Sequence, residues 1–414
     1  MNRLSVSLQF SPESIMPVGR LAMHDGRLFF EYDKQFLGKG FWLSPYKLPL
    51  QTEVFEYTNY NHFGPIFGLF DDSLPDGWGL LLMDRYLKKR GYDINTLTVL
   101  DRLSFLGNNT MGALVYEPVL DIEVPDNTPF NLYNLSKQAL DIISGKTDEV
   151  LPQMVKAGGS PGGARPKVLA GVCGDTLISG ETDLPDNFEH WIIKFSSDID
   201  SPQAGIIEYI YSLLARDAGI HMPETKLFGS KKKGYYFGVK RFDRIANQRF
   251  HVHTFGNLIH SNFRIPSQDY DNLLRLTKDL TKNYECQLSI VRQMVFNIIL
   301  NNRDDHVKNF AFIMDHNGDW SLSPAYDITF SAGPGGEHTM TIMGEGRTPT
   351  IHDVYKVCSN HSINQKEIDA IVEQVVDTSK KFSFYADQYS ISSNIRKEIA
   401  SKIQGNVSAF FNLK

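Results

Sequence analysis

The chain has 414 residues, is 42% hydrophobic and 12% aromatic, and carries 42 Lys and Arg against 48 Asp and Glu, a formal net charge of −6. This composition excludes a disordered or fibrous protein, and the length calls for two or three packed subdomains. The acidic balance argues against a phosphate backbone as the main partner, so contact with DNA is expected to be local or made through another protein.

In chain order, residues 4–10 alternate as Leu-Ser-Val-Ser-Leu-Gln-Phe, the period of a half-buried strand. Asp25-Gly26, between two strand-like runs, predicts a tight hairpin. A loop at Ser73-Leu-Pro-Asp-Gly-Trp-Gly79 precedes a helical run from about Leu80 to Lys89, and GALVYEPV at residues 112–119 reads as a strand. The polar stretch Pro118–Pro129 marks a boundary, so residues 1–125 are expected to form an N-terminal β-rich subdomain.

A second unit is expected over residues 126–250. It opens with a helix near 131–143, then the glycine-rich loop Gly158–Lys167, the strand-like VLAGVC, and the apolar run His190–Phe195. Ile206, Ile207, Ile210, Tyr211, Leu213 and Leu214 recur at helical spacing, and a hairpin around Lys231–Gly234 leads into a strand ending near Phe242. The basic run Lys231–Lys233 reads as a solvated hairpin tip. Residues 251–414 look mainly helical. Leu288, Val291, Val295, Ile298 and Ile299 mark a long buried helix ending at Asn301-Asn302, and further helices fill about 364–381 and 393–412.

Cys173, Cys286 and Cys358 are scattered, with no CxxC or Cys/His cluster, which speaks against a disulfide framework or a structural zinc site. The opening MNRLSVSLQFSPES lacks the apolar core of a signal peptide, and no window approaches the length of a membrane span. A cytoplasmic protein without membrane contact is expected.

Phosphoryl transfer needs a cover over the phosphates, a cation on them, a carboxylate facing the acceptor hydroxyl, and oxygen ligands for magnesium. In Asn302-Arg-Asp-Asp-His-Val-Lys-Asn-Phe310, four residues separate Asp304 from Asn309, the spacing of a kinase's catalytic aspartate and magnesium-binding asparagine. The plainer reading is a capped helix end followed by a solvated turn. His306 reads as an organiser of this loop in place of a metal ligand. Asp327, eighteen residues after Asn309 and across a hairpin turn at His316–Asp319, stands where a kinase carries its second metal-binding aspartate, though Tyr-Asp-Ile replaces Asp-Phe-Gly.

Lys194 lies in an apolar strand-like run and needs partners, which phosphates and Glu208 on the following helix would supply; the alternative is a strand-edge lysine reaching solvent. The glycines of 158–167 could let backbone amides approach phosphate oxygens, or could simply make a flexible turn. The Walker pattern fails, because Leu140 stands where Gly145-Lys146-Thr147 would need its first glycine. The order of these parts is that of an α+β, two-lobed protein-kinase-like fold with an N-terminal β-rich subdomain and a mostly helical C-terminal lobe.

Ser73-LPDGWG, Asp101-RLSFLG…MGALVYEP118, Ser160-PGGARPK167, Val239-KRFDR244, His253-TFGNL258, Asp304-DHVKN309 and Ser323-PAYD327 together resemble the HipA family of serine/threonine kinase toxins, over about residues 65–330. The resemblance implies ATP and Mg2+ as cofactors, Asp304 as catalytic base, and Asn309 and Asp327 as magnesium ligands. It implies Lys194, paired with Glu208, on the phosphates, and Ser160, Gly162, Gly163, Ala164 and Lys167 in the phosphate loop. His306 and Lys308 would also face the nucleotide, and Lys240 and Phe242 would fall in the segment lining the adenine pocket. Ser160 would be the autophosphorylated serine that ejects the loop and switches the kinase off.

The same resemblance implies growth inhibition through an aminoacyl-tRNA synthetase, a small helix-turn-helix antitoxin of HipB type, and operator DNA reached through that antitoxin. One departure is Lys240, where an acidic residue is expected. The Asp-x-His-x-x-Asn segment also resembles phosphoinositide kinases, so a lipid or small-molecule kinase is one alternative, and a catalytically idle corepressor module is another.

Overall fold

The structure is a computed structural model and describes residues 1–120, 127–147, 150, 154–155, 163, 165–180, 182–196, 201–230 and 234–412. Ser160, Gly162 and Ala164 of the expected phosphate loop, and the Lys231–Lys233 tip, lie outside the described residues.

Alternating apolar residues build the first sheet. Strands β1 (Arg3–Ser11), β2 (Ser14–His24), β3 (Arg27–Tyr32), β4 (Phe55–Glu56) and β5 (Leu114–Glu117) pair antiparallel in the order β4-β3-β2-β1-β5. Leu4, Val6 and Leu8 of β1 point into the core. The β2–β3 turn has φ of 49° at Asp25 and 75° at Gly26, the left-handed pair that two-residue hairpins require. Helices Gly77–Lys89 and Val99–Leu106 pack on this unit, the first burying Trp78, Leu82, Met83 and Leu87. The second starts in a Thr98/Asp101 capping box.

The second sheet has the order β7-β6-β8-β10-β9, with β6 at Lys167–Cys173, β7 at Thr176–Ser179, β8 at Glu189–Lys194, β9 at Thr225–Ser230 and β10 at Gly234–Lys240. Successive strand residues face opposite sides. Val168, Ala170, Val172, Trp191 and Ile193 therefore join the core of the first unit, while Lys167 and Lys194 face the other way. On that side runs the helix Ala204–Asp217, whose Ile210, Tyr211 and Leu214 belong to a second core shared with the C-terminal helices. Tyr211 anchors it by donating to Leu300 O at 2.7 Å.

The C-terminal region is built on the helices Tyr270–Thr281, Tyr284–Ile299, Ile351–Asn360, Gln365–Ser379, Phe382–Gln388 and Ser393–Phe411. It is less uniformly helical than the apolar periodicity suggests. After a short hairpin, β11 (Arg244–Ile245) and β12 (Gln248–Arg249), a three-stranded sheet joins β13 (His251–Thr254), β14 (Ala311–Met314) and β15 (Trp320–Leu322). These strands are too short to carry a period, and β13 finds its partner only beyond the long helix. Helix Tyr270–Thr281 did have a legible signal: Asp269 caps it, and Tyr270, Leu273, Leu274 and Thr277 form its buried stripe.

The first unit is fastened to the second sheet by buried charge. Asp243 has no exposed side-chain surface and accepts from Arg241 (2.9 and 2.7 Å), Arg244 (2.6 Å) and Gly112 N (2.8 Å). Arg244 also donates to Gly112 O at 2.8 Å and Thr110 O at 3.0 Å. Burial opposes ionisation of Asp243, but the two guanidinium groups hold its carboxyl far below the usual carboxylate range.

A depressed folded-state pKa contributes stability at neutral pH, and that stability is lost as pH falls below the unfolded value. Asp243→Asn leaves two buried guanidinium groups without their anion and should lose about 3–5 kcal/mol at pH 7 by urea denaturation. The gap to wild type should narrow below about pH 4. A variant as stable as wild type at pH 7 would break this account.

Candidate functional site

The site forms where the second sheet meets the loops of the C-terminal lobe. Lys167 opens β6, Lys194 closes β8, and the antiparallel register sets them directly opposite each other. A buried ammonium needs anions. Lys194 donates to Glu208 Oε1 at 2.6 Å and to an Asp327 carboxylate oxygen. Its Nζ also lies 5.7 Å from the Phe237 ring centroid. Glu208, 3% exposed, receives Arg165 on its other oxygen at 3.4 Å.

Burial disfavours the Lys194 charge, yet Asp327 and Glu208 outweigh it and hold the ammonium above the ordinary lysine value. For Asp327 burial again opposes charge, and Lys194 and Lys167 hold the carboxyl well below its usual range. Lys167 is pushed down to about 8, first by burial and also by neighbouring Lys194; Asp327, Asp76 and Glu208 oppose the fall.

The loop after helix Tyr284–Ile299 separates two adjacent aspartates by environment. Asn301 turns the chain with φ of 56°. Behind the loop, Asn302 donates to Asn297 (2.9 Å), Asn297 to the Tyr270 hydroxyl (3.0 Å), and Tyr270 to Asp305 (2.9 Å). Asp305 is buried and also meets His338 Nδ1 and Thr339 N, each at 2.9 Å. Its lone pairs are thus committed to holding the loop. Asp304 is exposed, and its carboxyl, crowded by protein on one side, has a raised pKa. Lost hydration is the main cause; Asp327 and Asp305 add to it, while His306 and Arg165 oppose it.

Asn309 donates its side-chain nitrogen to Asp304 O at 2.6 Å, which leaves its amide oxygen for another partner. His306 Nδ1 accepts from Lys308 N at 3.2 Å, and its ring packs on Phe263. Lys308 Nζ meets Asp71 at 2.9 Å and sits 5.0 Å above the Phe263 ring centroid. Tyr326, just before Asp327, donates to Lys308 O at 2.6 Å and stacks on Phe242 at 5.4 Å. Lys240 lies at the far end of β10 from the Phe237–Lys194 pair, and its ammonium pairs with Glu189.

The structure therefore brings together Lys167, Lys194, Glu208 and Asp327, and sets Asp304 within electrostatic reach of Asp327 and Arg165. Lys308 and Phe242 adjoin this group through Tyr326. Sequence reasoning gave no role to Asp71, Asp72 and Asp76, although Asp76 lies inside the quoted SLPDGWG motif. Asp71 holds Lys308. Asp72 accepts from His253 (2.6 Å), Thr254 N (2.9 Å) and Asn257 (2.8 Å), fixing the segment that precedes the long helices. No group of three or more His, Cys, Asp or Glu side chains gathers as a metal site among the described residues, and no helix there is long and apolar enough to cross a membrane.

A β-rich first unit followed by a two-lobed core, with a lysine–glutamate pair in one lobe and an aspartate–asparagine loop in the other, is an α+β kinase-like architecture. The sequence matches the HipA N-terminal domain over residues 14–117 and the HipA-like C-terminal domain over residues 159–382, more than half of the chain. The chain belongs to the HipA family. Its fold matches the Shewanella oneidensis HipA solved with HipB and operator DNA, with a TM-score of 0.71, 16% identity, and 98% of this chain and 96% of that one covered. Y4dM of Sinorhizobium fredii, a kinase by name, is 25% identical over 153 residues, only 33% of this chain and 36% of that protein.

The charge ordering of the site is testable. Asp327 supports the charge on Lys167, so Asp327→Asn should move the Lys167 titration midpoint below about 8. NMR of Nζ-labelled lysine would follow it. A midpoint that stayed or rose would show that Asp327 does not face Lys167.

Proposed function

We propose that this HipA-family chain is an ATP- and magnesium-dependent serine/threonine protein kinase and the toxin of a toxin–antitoxin pair. The observation that carries the reading is the exposed, pKa-raised Asp304 beside the Lys194–Glu208–Asp327 group. Phosphoryl transfer asks a protein mainly for positioning and charge neutralisation, and this group supplies both. Asp304 accepts the proton of the acceptor hydroxyl as that oxygen bonds to the γ-phosphorus and ADP leaves. Lys194, and Lys167 while charged, neutralise phosphate oxygens. Lys308 extends the cationic wall, and Phe242 with Tyr326 offers a flat aromatic surface for a base.

The donor set fits magnesium. The Asn309 amide oxygen and the Asp327 carboxylate are hard oxygen ligands, and a magnesium site completed by phosphates needs only one or two from protein. When bound, magnesium offsets the charge on the transferring phosphates.

The toxin role rests on family membership, and a HipB-type antitoxin on the Shewanella HipA having been solved with HipB and operator DNA. A net charge of −6 suits DNA contact through such a partner. An aminoacyl-tRNA synthetase is the proposed acceptor, and Ser160 the proposed site of autophosphorylation.

Incubation with Mg·ATP followed by intact-mass and peptide mass spectrometry tests this. Phosphate on Ser160 in wild type, reduced at least about a hundredfold in Asp304→Asn and in Asp327→Asn, with Asp304→Asn melting no lower than wild type and Asp327→Asn less stable but still folded at the assay temperature, is the expected result. Normal incorporation in either variant would remove its assigned role. Failure of wild type to bind ATP at all would favour an idle corepressor module.

Because Asp304 acts as base only when ionised, and its pKa is raised, the rate should climb with pH over a range above that of an ordinary aspartate. The KM for ATP should then rise above about pH 8, as Lys167 loses its charge.

A further inference from the structure

The first unit does more than cover the lobes: it grips the end of the glycine loop. Asp76 stands at the N-terminus of the helix Gly77–Lys89 with its side chain making no capping bond to that helix, and the residue after it turns with φ of 43°. From this turn three hydrogen bonds run to the loop. Gly163 N donates to the Asp76 carboxylate, Trp78 N donates to Gly163 O at 3.3 Å, and Trp78 Nε1 donates to Lys167 O at 3.0 Å.

Trp78 is 1% exposed, so the donor to Lys167 O is set by core packing. Gly163, with φ of 101°, lies so close to Lys167 that a Cβ there would stand 2.6 Å from the lysine Nζ. Asp76 is also near enough to act on the charges of both Lys167 and Lys308.

We propose that the Asp76–Trp78 turn is a positioning clip for the end of the glycine loop, holding Gly163 against Lys167 so that these two residues meet nucleotide phosphates as one preformed surface. The inference rests on the kinase reading above. The clip acts through backbone groups of the loop and through Lys167, and needs no contact with the nucleotide. The two Trp78 bonds go to carbonyl oxygens, groups that phosphate does not use, so the clip and a phosphate can hold the loop together.

The test uses the full chain and three variants. Asp76→Ala removes the acceptor, Asp76→Asn keeps an oxygen acceptor while losing the charge, and Trp78→Phe keeps most of the buried packing while losing the donor. Without nucleotide, hydrogen exchange over residues 163–167 should speed up in Asp76→Ala and Trp78→Phe and stay near wild type in Asp76→Asn.

With Mg·ATP, the KM should rise about tenfold in Asp76→Ala and about threefold in Trp78→Phe, with kcat changed by less than about twofold, and Asp76→Asn should be impaired less than Asp76→Ala because it keeps the acceptor while losing the charge near Lys167. Faster exchange with an unchanged KM would overturn the inference while leaving the kinase reading intact. So would tighter ATP binding in Asp76→Ala, which would make Asp76 a competitor for the loop, or an Asn variant as impaired as Ala. A wild type that neither bound ATP nor incorporated phosphate would overturn both.

Discussion

Lys194 is the point on which the rest of the structure turns. Its strand belongs to one hydrophobic core and its partner Glu208 to a helix of the other, while Asp327 comes from a loop of the C-terminal lobe. Burying an ammonium costs several kcal/mol unless good anions surround it. Here two carboxylates meet it, so the charge is kept only while sheet, helix and loop stay in register. The ion group thereby makes the relative placement of the two cores a condition of its own stability. Each core supplies the apolar burial, but neither would by itself fix where Asp327 lies relative to Lys167.

The loops around that group are held by the same device. Asp72, Asp243 and Asp305 are carboxylates with multiple donors, and each joins segments far apart in sequence. Asp72 reaches the 253–257 segment, Asp243 reaches residue 112, and Asp305 reaches residues 270, 338 and 339. Loop backbone that cannot join a sheet ladder or a helix needs acceptors from side chains. Aspartate is short enough to take several N–H donors with little entropy to lose. This explains how Asp304 can stay open beside Asp305: the neighbour already satisfies the loop.

Much of this was legible in the sequence. The Asp304–Asn309 spacing, the lysine in the apolar run and the glutamate on the next helix gave the central group, because each lies on an element with a strong local signal. Which of Asp304 and Asp305 would be buried had no such signal; it follows from Tyr270, His338 and Thr339, which are distant in sequence. The same limit hid Asp71 and Asp76. Their partners Lys308 and Gly163 are 237 and 87 positions away, and an aspartate ahead of a helix reads locally as a cap. The three-stranded sheet was missed for a related reason, since strands of three and four residues carry too little alternation to stand out among helices.

The electrostatics of the site bear on the choice of ligand. Lys167, Lys194, Lys308 and Arg165 form a local cationic wall within an acidic protein, but Asp71, Asp76, Asp327 and Glu208 face those cations. A phosphate chain entering alone would approach Asp304 and Asp327 against their repulsion, in a region where burial weakens screening. Were a divalent cation bound with the phosphates, Asp327 would be among the residues holding it, and the cation's charge would offset that repulsion. On the proposed reading, the carboxylates keep the lysines charged and in place before the ligand arrives, and a bound metal would supply the charge that lets phosphate oxygens sit beside them. A free phosphate ester without a metal should therefore be a poor ligand for this site, however many lysines line it.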